Sequence, residues 1–288
     1  MQRLSTTLRT CSLLLVFGIA AAEPPEVITA ELKQATIDGF TRYVQATEAR
    51  IDKEVARPGA FLYVDGLPEA RRAEAMAALK PGEIYMERLA TLDASGRPMT
   101  TPNALIHHWI GAVFIPGASL AQVLTFVQDY DHHQDYYKPE VIGSRLVTHN
   151  GNDFKIFYRL RKKKVITVTL NTDHDVHYFA VDATREYSRS YTTRIAQLDN
   201  VGQPTEREKP VGLDGGFLWR LNSYWRFEER DGGVYVECES VSLTRDIPTG
   251  LGWLIKPFIT GIPKESLLMT MGSTRAGVLA RMAAAAKP

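Results

Sequence analysis

The sequence predicts an α+β fold, and three observations carry that prediction. Apolar residues recur at helical intervals near both ends of the chain, strict alternation replaces that period from Glu83 to about Asp246, and tight-turn signals punctuate the alternating part. The element order that results is helix, helix, strand, helix, a run of antiparallel strands, and a long closing helix.

The first residues stand apart from the fold. Arg3 and Arg9 precede the apolar run "CSLLLVFGIA" (11–20), and Ala20 and Ala22 occupy the −3 and −1 places before Glu23. That is the layout of a secretory signal peptide, and the run is too short for a stable membrane span. Residues 1–22 are therefore expected to be removed, and the protein to be exported, either to the periplasm or to the medium. The remaining 266 residues hold 32 basic and 33 acidic side chains, a net charge of −1. This balance excludes the strongly basic face that a nucleic-acid partner requires. Cys238 is the one cysteine left, so no internal disulfide can form and the fold must be held by its core.

Residues 23–82 read as a helical segment. In "VITAELKQATIDGFTRYVQATEARIDKEVA" (27–56), Leu32, Ile37, Phe40, Val44 and Ile51 form an apolar stripe with charges between them. "RPGAFLYVDGLP" (57–68) breaks the helix. "EARRAEAMAALK" (69–80) forms a second one, stopped by Pro81-Gly82. The pair is read either as an arm or as helices packed on the main domain, which spans 83–288.

Strands are expected over 83–92 and 103–115, followed by a helix over 116–139. Ser119 is its N-cap, Gln122 stands at capping-box spacing, and Leu120, Val123, Leu124 and Val127 form the buried stripe. Further strands are expected near 141–149, 153–170, 174–182, 185–198, 217–230 and 233–246, with "NGND" and "RDGG" as hairpin turns. A two-residue turn at Asp231-Gly232 sets Phe227 against Val236, Trp225 against Cys238 and Arg226 against Glu237. One face of that hairpin then carries Trp219, Leu221, Trp225 and Phe227. The other carries Arg220, Asn222, Tyr224, Arg226 and Glu228, and is expected to face water. After a Gly- and Pro-rich stretch ending at Pro263, a helix is expected to run to about Ala284. Its stripe is Leu267, Leu268, Met271, Val278, Leu279 and Met282, interrupted by Gly272, Ser273 and Gly277. Those small residues either pack closely or leave space beneath the helix.

"VECESVSLTRDIPTGLGWLIKPFITGIPKESLLMTM" (236–271) and "IHHWIGAVFIPGASLAQVLTFVQDYDHHQDYYKPEVIGSRLV" (106–147) resemble the closing and opening segments of the START and Bet v 1-like superfamily, which includes polyketide-cyclase-like proteins. The resemblance covers roughly 100–285. It implies a helix-grip fold: a curved antiparallel sheet wrapped around the C-terminal helix, with an apolar cavity between them. The implied partner is a hydrophobic small molecule or lipid, with transient membrane-surface contact, and no cofactor. Such cavities are mostly apolar with a few polar groups that fix orientation. On that expectation Trp219, Leu221, Trp225, Phe227 and Met271 supply the apolar wall. Tyr158, Tyr178, Tyr187, Arg189, Tyr191 and His133 supply polar tips.

Chemistry is sparse elsewhere. Asp129 and His133 stand at i, i+4 spacing and His107 or His108 lies on the preceding strand, but no recognised metal motif is present. "DYDHHQDYYKPEV" (129–141) is therefore read as a helix end and loop near the cavity mouth. No G-x-S-x-G elbow occurs, and Cys238 is expected on an apolar strand face, where thiols are inert. "RLRKKK" (159–164) reads as a solvated or edge-protecting run, with anionic headgroup contact as the alternative. The leading reading is an exported carrier of a hydrophobic ligand. The alternatives are a cyclase- or hydrolase-type enzyme using the same cavity, and a partner-binding module with 23–82 as its arm.

Overall fold

The computed structural model describes residues 29–164, 166–247, 250 and 252–287. The signal-peptide reading of 1–22 lies outside the described residues. Eleven strands and five helices follow one another: β1 (Ala30–Glu31), α1 (Gln34–Val55), α2 (Glu69–Leu79), β2 (Tyr85–Arg88), β3 (Ala104–Pro116), α3 (Leu120–Val127), α4 (His133–Tyr136), β4 (Val141–Asn150), β5 (Asp153–Lys163), β6 (Thr167–Ala180), β7 (Arg185–Asp199), β8 (Arg207–Glu208), β9 (Leu213–Asp214), β10 (Arg220–Arg230), β11 (Gly233–Arg245) and α5 (Gly252–Ala285). The main sheet runs β2-β3-β11-β10-β7-β6-β5-β4, with β8 paired to β7; β1 pairs separately with β9.

Two turns set the register of long hairpins. Asp231 and Gly232 both have positive φ, as a two-residue primed turn requires, and they join Arg230 to Gly233. Trp225 then pairs with Cys238, Phe227 with Val236 and Arg226 with Glu237, the register expected from the turn. The β4–β5 hairpin closes through Gly151-Asn152, of which Gly151 alone has positive φ.

The sheet wraps one face around α5. Leu267, Met271 and Val278 of the helix pack with Val113 and Ile115 of β3, Phe227 of β10, and Val234, Val236 and Cys238 of β11. The small residues of α5 leave no space there. A Cβ on Gly277 would meet the ring of Phe126, and one on Gly272 would touch Ile84, so both glycines serve close packing. Gly111 of β3 does the same from the sheet side, against Met86 and Met271.

The opposite face of the sheet was expected to be wet, and it is covered instead. Phe40, Tyr43 and Ile51 of α1 pack on Tyr224, Val241 and Leu243, while Leu62, Val64, Ala75 and Leu79 pack on Ala112, Phe114 and Tyr235. Asn222, Tyr224 and Arg226 are buried in consequence. Polar residues alternate along β10 and β11 because they meet the polar side of α1, which the alternation alone does not distinguish from water.

Three further expectations change. The helix over 116–139 ends at Val127, although its Ser119–Gln122 capping box forms as expected; a 3-10 turn (Tyr130–His132) and the one-turn α4 follow. The strand over 153–170 is two strands, because the chain reverses between Lys163 and Thr167 with no Gly or Pro to mark the turn. Helix α5 begins at Gly252 and continues through Pro257 and Pro263. Each proline removes one helix donor, a local cost that the tertiary packing of α5 outweighs.

Candidate functional site

A cavity of about 240 Å³ lies between α5 and the inner face of the sheet, lined from β5, β6, β7, β10 and β11. Alternation decides which residues reach it. On β5 these are Ile156, Tyr158, Leu160 and Lys162; on β10 they are Leu221, Ser223 and Trp225. Leu267 and Thr270 of α5 close the other side.

The stretch 129–137 builds one end. Tyr130, His133 and Tyr137 recur at intervals of three and four, so all three turn inward and are buried, whereas Asp131, His132 and Asp135 stay outside. Their polar atoms, His133 Nε2 apart, are paired with the sheet or with α5. The Tyr130 hydroxyl lies 2.8 Å from that of Tyr178, and Tyr137 Oη lies 3.0 Å from Thr274 Oγ1. His133 Nδ1 lies 2.7 Å from Tyr158 Oη. Its ring stacks on Tyr158, and its Nε2 has no hydrogen-bond partner among the described residues. Burial pulls the His133 pKa down to about 4 and that of His174 likewise, so both rings are neutral at pH 7. Burial also holds the phenols of Tyr130, Tyr158 and Tyr178, and the Cys238 thiol, well above their ordinary ranges.

One ion pair borders the cavity. Lys162 Nζ donates to Glu140 and, at 2.7 Å, to Ser266 Oγ of α5. Burial lowers the Lys162 pKa and the Glu140 carboxylate opposes that shift. Lys162 belongs to the run "RLRKKK", which is neither an edge nor wholly solvated, since β5 lies between β4 and β6. The signal that could have found it is parity: Lys162 falls in step with Ile156, Tyr158 and Leu160. Among the described residues no group of three His, Cys, Asp or Glu side chains converges on a metal position. Asp129 engages His132 and Arg281, while His133 Nδ1 meets Tyr158.

A long terminal helix held in a wrapped antiparallel sheet, with a cavity between them, decides the architecture. The chain has a helix-grip fold. No family model and no curated protein matches the sequence. Solved structures do. The chain is similar to the STAR-related lipid transfer protein of Xanthomonas axonopodis, at 15% identity and a TM-score of 0.43, over 67% of this chain and 98% of that one. It is similar to human STARD10 at 8% identity and TM-score 0.43, over 74% and 80% of the two chains. It is also similar to the Zhui aromatase/cyclase of Streptomyces sp. R1128, at 11% identity and TM-score 0.42, over 63% and 99%.

Within this helix grip, the cavity brings together His133, Tyr158, Tyr178, Leu221 and Trp225 of the expected ligand-binding set. Phe227 and Met271 lie beside it in the solid core. Four others are on the wrong face. Tyr187, Arg189 and Tyr191 occupy the odd positions of β7, which point outward under α1, while Ser188 and Ser190 point in. Arg189 pairs with Asp52, and Tyr191 donates to Glu48 at 2.8 Å. Trp219 precedes β10 and turns to the outer cluster with Phe40 and Tyr43, its indole N–H on Asp214 at 3.2 Å. The residues missed are the serines of β7, β10 and β11. Small hydroxyl side chains at inward positions were the available sign.

Proposed function

We propose that the protein is an exported binding protein that holds a hydrophobic ligand in this cavity and transfers it. The cavity carries the reading: an apolar space close to the lower end, roughly 300 Å³, of ordinary small-molecule sites, whose tyrosines, His133 Nδ1 and ion pair are bonded to neighbouring side chains. A group committed to a neighbour and held neutral by burial positions a ligand better than it moves a proton. His133, kept neutral with Nδ1 facing Tyr158, and Cys238, kept as the thiol, fit a binding role rather than a cyclase or hydrolase.

Export rests on the leader-like segment 1–22. Transient contact with a membrane surface is supported by Trp253, 71% exposed at the first turn of α5 beside the exposed Lys256. An amphipathic indole there suits a water–lipid boundary. The test is native mass spectrometry on protein recovered from the periplasm, followed by denaturing extraction. A reproducible adduct released as an apolar molecule is the expected result. A bare mass with no uptake from a total lipid extract would refute the carrier reading.

A further inference from the structure

Five serines give one wall of the cavity a row of small hydroxyl groups. Ser190 of β7 is paired with Ser223 of β10, and Ser223 with Ser240 of β11, so three hydroxyl residues lie side by side across adjacent strands. Ser188 lies one inward position along, beside Trp225, and Ser242 lies beside Leu221. All five line the cavity. Ser188 and Ser242 are only 2% and 4% exposed. None of the five hydroxyls has a hydrogen-bond partner among the described residues. Strands are about 4.8 Å apart, so the row Ser190–Ser223–Ser240 spans roughly 10 Å.

Each hydroxyl offers one donor and two acceptor sites. Leaving such groups unpaired against apolar surface is unfavourable, and serine is a poor packer on a strand. Among the described residues the cavity's tyrosines and its Lys162–Glu140 pair are already engaged, and apart from this wall His133 Nε2, at the end built by 129–137, is left without a partner. The facing wall, from α5, carries Ile262, Pro263, Leu267 and Met269, with Thr270 and the engaged Ser266 among them. The ligand therefore meets a row of oxygen-binding groups along one edge and mainly apolar atoms along the other. Among the described residues the one cation that lines the cavity, Lys162, is committed to Glu140.

Building on the reading of this cavity as a ligand site, we infer that its ligand is a compact uncharged apolar skeleton carrying two or more hydroxyl or carbonyl oxygens along one edge, held by Ser190, Ser223 and Ser240. A fatty acyl chain offers nothing to the row, and a carboxylate or phosphate finds no free cation in the cavity. The inference concerns polarity across the width of the ligand rather than at one end.

The experiment compares three probes on the mature protein by quenching of tryptophan fluorescence: 1,8-dihydroxyanthraquinone, anthracene and palmitate. The wild type is expected to favour the oxygenated ring system. Combining Ser190→Ala, Ser223→Ala and Ser240→Ala is expected to weaken it roughly tenfold or more, since each neutral hydrogen bond contributes a factor of about five. Anthracene binding should stay the same or tighten. Equal binding of anthracene and the dihydroxyanthraquinone, or equal loss of both in the triple variant, overturns the inference and leaves the cavity reading standing. A triple variant that is more stable with unchanged selectivity overturns it as well, the hydroxyls then serving only water. Failure of all three probes to bind removes the cavity reading itself.

Discussion

Replacing Arg226 with methionine tests whether the N-terminal helices are integral to the domain. Arg226 is 2% exposed and is surrounded by carboxylates from two elements. Its guanidinium lies 2.6 Å from Glu54 of α1 and 3.9 Å from both Glu237 and Glu239 of β11, and it donates to the Phe61 carbonyl at 3.3 Å. Methionine keeps most of the volume and removes the charge. Arg50 remains to serve Glu54 and Glu239, but Glu237 loses the only cation that lies within 4 Å of it among the described residues. Removing one partner of a buried ion pair costs about 3–5 kcal/mol, because the charge left behind has no water to turn to. In a domain of this size each kcal/mol lowers Tm by about 2–4 °C, so a fall of roughly 6–20 °C is expected. The assay is thermal and urea unfolding followed by circular dichroism at pH 8. Adding Glu54→Gln should recover part of the loss, since it removes a carboxylate from the same cluster. A loss below about 1 kcal/mol, the value of a solvent-screened surface pair, would refute the view that α1 seals this network from water.

Four further outcomes follow from the same structure. Burial raises the Glu237 pKa from 4.5 to about 7, so the folded state holds that proton more tightly than the unfolded state, and stability falls as pH rises between those values; relative to wild type, Glu237→Gln should gain on the order of 3 kcal/mol between pH 4.5 and pH 8 in urea titrations, and a constant difference would contradict it. His174 has the opposite sign: its pKa drops from 6.5 to about 4, so its contribution is present above pH 6.5 and lost towards pH 4, and His174→Gln should remove about 3 kcal/mol of the acid destabilisation, where an unaltered slope would refute the assignment. Ser119→Ala should cost about 1 kcal/mol at the start of α3, measured by urea unfolding, and a neutral result would mean the capping box contributes nothing. Gly277→Val should cost about 1–3 kcal/mol by driving a side chain into Phe126, and an unchanged Tm would show that α5 shifts freely over the sheet.

What the sequence disclosed and what it hid divide along a physical line. The β10–β11 register was legible because two turn residues with positive φ leave one way to pair the strands, and the inner positions Leu221 and Trp225 follow from it. The capping box was legible because it is a contact between residues three apart. The outer face was not. Asn222, Tyr224 and Arg226 alternate as a wet face does, and the partners that bury them lie far back in the chain: Glu48 reaches Tyr224 and Glu54 reaches Arg226. Binary pattern records polarity, and polarity is shared by water and by a facing helix with complementary charge. A stoichiometric clue was present all the same. Glu237 and Glu239 stand on one face of β11 at successive same-side positions, and His108 of β3 and Arg226 of β10 are their neighbours across the sheet. One arginine beside two carboxylates leaves a buried cluster short of a cation, and α1 supplies it through Arg50 while Glu54 takes the second side of Arg226. The inner face was misjudged on β7 for a related reason. Large aromatic and cationic side chains drew Tyr187, Arg189 and Tyr191 into the expected site, whereas a cavity is made where side chains are small. Ser188 and Ser190 alternate with those three, and the space beside them is what their missing bulk leaves open.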